Sequence, residues 1–154
     1  MQSSWLRMGL ATISVMALMV SAGQAGMRVE PVTVVTASGP VTFQTEIAAT
    51  EPEREAGLMF RKTMASDAAM LFDFGTPRPV AFWMKNTYLP LDMIFIAADG
   101  TISAIAKQAA PLSETIISVN DPVLAVLEVN GGTADRIGLK QGDKVKHPLF
   151  TSGR

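Results

Sequence analysis

The sequence predicts a mainly β domain of α+β type, a compact antiparallel sandwich or barrel-like sheet with one main helix. Three observations predict it. Short β-branched or apolar runs recur along the chain, separated by turn residues such as Ser38-Gly39-Pro40 and Asp99-Gly100. One stretch carries a clear helix start signal. Strands outnumber helices and do not alternate with them, which disfavours a parallel α/β sheet.

Each element has its own reason. Residues 29–48, VEPVTVVTASGPVTFQTEIA, place β-branched residues on both sides of a Ser-Gly-Pro turn and read as two strands. Thr50 and Glu53 have capping-box spacing, and Pro52 suits a first helical turn. The helix is expected over 51–61, with glutamates near its start complementing the dipole. Gly57 inside it implies close packing or a helix end, because glycine costs about 1 kcal/mol against alanine there. Residues 68–74, AAMLFDF, read as a buried strand, 75–79 as a loop and 80–86 as a further strand. Residues 91–109 form a hairpin pattern around Asp99-Gly100. Residues 122–129, PVLAVLEV, are a strand ended by Asn130-Gly131-Gly132, and 133–139 suit one helical turn. Residues 144–150 would close the sheet.

The N-terminus reads differently. Arg7 precedes an apolar run, Met8 to Val20, followed by small residues up to Gly26. This is the pattern of a secretory signal peptide over 1–25, with cleavage after Ala25 or Ala22. The run is shorter than the ~20 residues needed to span a bilayer; an uncleaved anchor is the alternative. The expected product is a periplasmic or secreted single domain over 26–154, without a membrane span once the leader is removed.

Composition excludes several functions. The chain contains no cysteine, so disulfides, thiol catalysis and cysteine-held metals are excluded. Of 13 basic residues the leader removes only Arg7, leaving 12 beside 14 acidic ones, well interspersed. No basic stripe points to nucleic acid. The six methionines beyond the leader form no M-x-x-M or M-x-M cluster and suit core filling rather than a metal site. No G-x-S-x-G elbow is present, and the sole histidine, His147, stands alone. No cofactor is expected.

The informative residues are polar ones in apolar surroundings. The stretch FWMKNTYLPLDMIFI (82–96) carries Lys85, Asn86 and Asp92 around Pro90. Strand alternation puts Trp83 and Lys85 side by side. Pro90 cannot donate to a ladder, so Asn86 to Pro90 forms a loop at the rim of the core. Arg54 and Arg61, seven apart, would share a helix face and suit carboxylates or phosphates. Glu128 is an odd charge late in an apolar strand. Two readings compete for these groups. In one, they pair with each other and pin the fold, with the arginines on Glu128, Asp73 or Asp92. In the other, Arg54, Arg61, Trp83, Lys85, Asn86, Thr87, Asp92 and Glu128 gather into a ligand site.

Four stretches carry a resemblance: 53–61, 70–74, 82–96 and 126–143, with W-M-K-N-T-x-x-P-L-D at its centre. Together they resemble the domain of unknown function 192 (DUF192) family over nearly the whole mature chain. Departures are Ala69, where the family usually has glycine, and Gly131, where alanine is common. The resemblance implies a compact, mainly β domain with a helix, often exported in bacteria, and implies no reaction. The functional expectation is therefore a non-enzymatic periplasmic binding or accessory module for a small anionic ligand or envelope component. The alternatives are an envelope enzyme with Asp92 as base and Lys85 as electrophilic partner, and a purely structural polar cluster. The sequence carries no sign of oligomeric state.

Overall fold

The computed structural model describes residues 26–151. The expected signal peptide lies outside the described residues. The elements are β1 (Val29–Thr36), β2 (Gly39–Ala48), α1 (Glu51–Ala56), β3 (Ala68–Arg78), β4 (Ala81–Phe82) and β5 (Leu91–Ile96). They continue with β6 (Ile102–Ala109), β7 (Ile117–Ser118), β8 (Val123–Asn130), α2 (Thr133–Arg136), β9 (Lys144–Lys146) and α3 (Pro148–Thr151).

The fold is mainly β. Seven strands form one sheet in the order β6-β5-β8-β3-β2-β1-β9, and β4 pairs with β7 apart from it. The sheet curls until its edges meet. Thr101, just before β6, bridges Lys144 in β9. Around that bridge Ile102 N donates to Asp143 O at 2.9 Å and Val145 N to Gly100 O at 2.8 Å. Of the two expected forms, the barrel-like one is found. Its pairings are antiparallel except β2 with β3, which run parallel from Gln44↔Ala68 to Ala48↔Phe72. A parallel pair needs a crossover, and α1 with residues 57–67 supplies it.

Both faces of the central strands are buried, which is why their sequences are apolar without alternation. Inside the curl, Val32, Phe43, Leu71, Ile94 and Leu127 pack with Ala134 of α2 and Leu149 of α3. Outside it, Met70, Phe72, Met93, Phe95 and Val126 pack beneath Leu58, Val80 and Met84 from the covering segments.

Four local expectations need correction. The helix ends at Ala56, not 61, because Gly57 adopts φ 46 and ψ −135. A Cβ there would meet the Phe72 ring at 3.3 Å, so close packing and termination coincide at this glycine. Arg54 and Arg61 consequently do not share a helix face. β3 runs on through the expected 75–79 loop to Arg78, with its register to β8 shifting between Asp73 and Arg78. The expected 80–86 strand is only Ala81–Phe82, because the chain turns at Asn86, whose φ is 56. Finally, β9 stops at Lys146, and α3 follows it.

The capping box is formed as expected. Thr50 N donates to Glu53 Oε2 at 2.8 Å, and Glu53 N to Thr50 Oγ1 at 3.4 Å. Those bonds hold the Glu53 carboxyl below its ordinary range. The box fixes α1 against the end of β2 and so aims Arg54 at the outer face of the sheet.

Candidate functional site

A cleft of about 620 Å³ opens on that outer face. Its floor comes from β3 and β8 through Phe72, Phe74 and Glu128. One wall is α1 and the segment after it, with Glu51, Arg54, Glu55 and Leu58 to Met59. The opposite wall is Ala81, Phe82, Trp83 and Thr87, and Arg78 stands at the end of β3.

Glu128 is the unusual member. In register it lies between Met70 on β3 and Met93 on β5, both fully buried. Glu128 itself is only 4% exposed. No side chain or backbone group among the described residues hydrogen-bonds its carboxyl. Yet no fully enclosed side-chain oxygen or nitrogen among those residues lacks a partner. The Glu128 oxygens must therefore open into the cleft. Burial without a compensating cation pushes this carboxyl up to about 8. Near neutral pH it is a neutral acid, able to donate as well as accept.

The cations lie higher. Arg54 Nη1 donates to Asp73 O at 2.8 Å and also to Ala49 O. Its guanidinium sits 5.8 Å from the Phe74 ring centre, and that of exposed Arg78 sits 5.0 Å from the same ring. Two guanidiniums thus converge on one aromatic, with three of Arg54's five donors and all of Arg78's left for a ligand. Phe82 stacks edge-on against Phe72 at 5.2 Å and Phe74 at 6.3 Å, which makes the wall apolar and rigid.

The eight residues singled out from sequence divide evenly. Arg54, Trp83, Thr87 and Glu128 line the cleft. Lys85, Asn86, Arg61 and Asp92 do not. Lys85 Nζ rests 4.9 Å over the Trp83 ring, as their side-by-side placement suggested. Asn86 Nδ2 lies 4.0 Å from Met59 Sδ, and Asn86 O accepts from Phe60 N at 2.8 Å. Both thus brace residues that line the cleft. Arg61 forms a fork with Glu46 on β2, with Nη2 to Oε2 at 2.7 Å. That pair lowers the Glu46 carboxyl and raises the guanidinium. An arginine does pair with an acid of the sheet, but from the segment after α1, and that acid is Glu46 rather than Glu128, Asp73 or Asp92.

Asp92 is wholly buried on the inner face. Its Oδ1 accepts from Gln108 N at 2.7 Å and Gly132 N at 3.1 Å, and Oδ2 from Ala134 N at 2.7 Å. It locks β6 and the start of α2 to β5, and both of its oxygens are engaged. His147 is likewise structural. Nε2 lies 2.7 Å from Glu30 Oε2, and Nδ1 accepts from Leu149 N at 3.2 Å, so the ring joins β9 to β1.

Sequence reading missed Arg78, Phe72, Phe74 and Phe82 as cleft residues. The phenylalanines looked like ordinary core, and Arg78 looked like loop. The one available signal was a basic residue four positions after the aromatic run FDF. Among the described residues no group of histidines and acids has metal-binding geometry, and no helix is long and apolar enough to cross a membrane.

The profile of the DUF192 family, described as Uncharacterized ACR, matches residues 33–147. The chain belongs to this family. Among solved structures, this DUF192 chain is similar to a Sinorhizobium meliloti 1021 protein described, provisionally, as a transcription regulator. The two share 51% identity with a TM-score of 0.78, covering 80% of this chain and 97% of that one. It is also similar to a Novosphingobium aromaticivorans DSM 12444 protein of unknown function. There the identity is 43% and the TM-score 0.78, covering 81% and 89% of the two chains. No curated protein matches.

Proposed function

We propose that this DUF192 domain is a non-enzymatic, exported binding module whose cleft takes a small anionic ligand. The observation that carries the reading is the Glu128 carboxyl, buried and unpartnered, facing a cleft whose upper end holds Arg54 and Arg78. A fold stabilised only for its own sake would fill that position, between Met70 and Met93, with an apolar residue, since burying most of a carboxyl with no protein partner works against stability. Aromatic walls with a few convergent polar groups are the usual make-up of a small-molecule site.

The enzymatic alternative needed Asp92 as base. Three backbone amides already occupy its carboxylate, on the face away from the cleft. The structural alternative suits Asp92 and Arg61 and fails to account for Glu128. A nucleic-acid partner, which the S. meliloti relative's description would suggest, is not supported. The longest helix among the described residues has six residues, too short to read a major groove as a recognition helix does. Opposite charges are also interspersed rather than sorted.

Thermal shift against anionic metabolites and envelope fragments tests the reading. A stabilising compound is expected, and Arg78→Ala should reduce its effect. Stabilisation that Arg78→Ala and Glu128→Gln both leave untouched would refute the cleft as the site. Export is tested by fractionation, which should recover a periplasmic or secreted chain beginning at Gly23 or Gly26.

A further inference from the structure

We infer that the ligand is a two-ended, ring-bearing anion, carboxylate or phosphate at one end and hydroxyl at the other, with Glu128 as the group that selects the hydroxyl. The inference rests on the anion-binding reading above and specifies its substrate class. Spacing is the first support. Glu128 stands opposite Met70, while Arg54 is tied to the carbonyl of Asp73, three positions further along β3. At about 3.3 Å per strand residue, those two strand positions are about 10 Å apart, and Arg78 stands still further along β3. A bare phosphate held by the two guanidiniums leaves Glu128 unreached, whereas an anion carrying a substituted ring extends along the cleft to it.

The lining between the ends is the second support. Phe72 and Phe82 lie there edge to face, offering flat apolar area and little hydrogen bonding. The third support is the chemistry of the far end. A carboxylic acid held in apolar surroundings both donates and accepts, and a hydroxyl matches it on both counts. A second carboxylate at that end would share a dry site with Glu128 and be rejected once either ionised.

A matched pair of compounds tests this by calorimetry: 3-(4-hydroxyphenyl)propionate and 3-phenylpropionate, which differ by one hydroxyl. The protein should bind the hydroxylated compound more tightly by on the order of tenfold, the value of one hydrogen bond to a buried group. Glu128→Met should remove the difference between the two. Glu128→Gln, which retains a donor and an acceptor, should keep part of it and serves if the methionine variant does not fold. Arg78→Ala should weaken both compounds by one common factor. Equal affinity of the two compounds for the unaltered protein, or a preference that survives Glu128→Met, overturns the inference and leaves anion binding standing. Failure of both compounds to bind at millimolar concentration overturns both.

Discussion

Two buried carboxylates show how position decides a residue's task. Asp92 and Glu128 lie on neighbouring strands, yet one carboxyl faces the inside of the curl and the other faces out. Asp92 meets three backbone amides, so its charge is fully hydrogen-bonded. Asp92→Asn replaces one acceptor oxygen with an NH2 facing those donors. It should lower unfolding free energy by about 2–4 kcal/mol in denaturant titration, with no change in ligand affinity of the folded protein. Glu128 meets no donor, and burial raises its carboxyl from 4.5 to about 8. The folded protein therefore keeps a proton that the unfolded chain releases above pH 4.5. Stability contributed by this group is complete below about pH 4.5, falls as pH rises toward 8, and is level beyond. At pH 7 the loss is on the order of 3 kcal/mol. Glu128→Gln should remove that slope and be the more stable protein at pH 7, as read from denaturant midpoints across pH. Glu46 and Glu53, whose carboxyls are lowered, act in the opposite window, losing their contribution as pH falls through their own titration.

At the scale of elements, Gly57 carries the most consequence. It ends α1, turns the chain into the cleft wall, and touches Phe72 on the floor. Gly57→Ala combines a left-handed φ with a methyl against that ring. It should cost about 1–3 kcal/mol and weaken ligand binding, both measurable on one purified variant. Signals that act within a few residues were legible in sequence: the Thr50 capping box, the Asp99-Gly100 hairpin and the turn between β1 and β2. Glu128 was also legible, because a charge in VLAVLEV contradicts its neighbours. What was illegible depends on register between distant strands. The parallel pairing of β2 with β3, the three amides around Asp92 and the choice of Glu46 as partner of Arg61 all arise from contacts far apart in sequence. The segment 80–86 misled because its apolar residues bury as a cover over the sheet rather than as part of it. Arg78 was hidden for a related reason. Thr76, Pro77 and Pro79 around it read as a turn, whereas the strand continues through a register shift.

The whole molecule is a sheet with two cores. The inner one closes the curl, and the outer one is roofed by irregular chain. The roof stops short of Glu128, and that gap is the cleft. An inner core completed by Asp92, His147 and the Thr101–Lys144 bridge leaves the outer face free to carry a polar group that lowers stability at neutral pH. Everything proposed for the ligand depends on Glu128 being a neutral, solvent-reachable acid in the unliganded protein. A carbon-13 NMR titration of its side-chain carboxyl measures this directly. A midpoint near 8 is predicted. A midpoint at or below the ordinary glutamate value would mean that the carboxyl is hydrated or already paired, and would contradict the account.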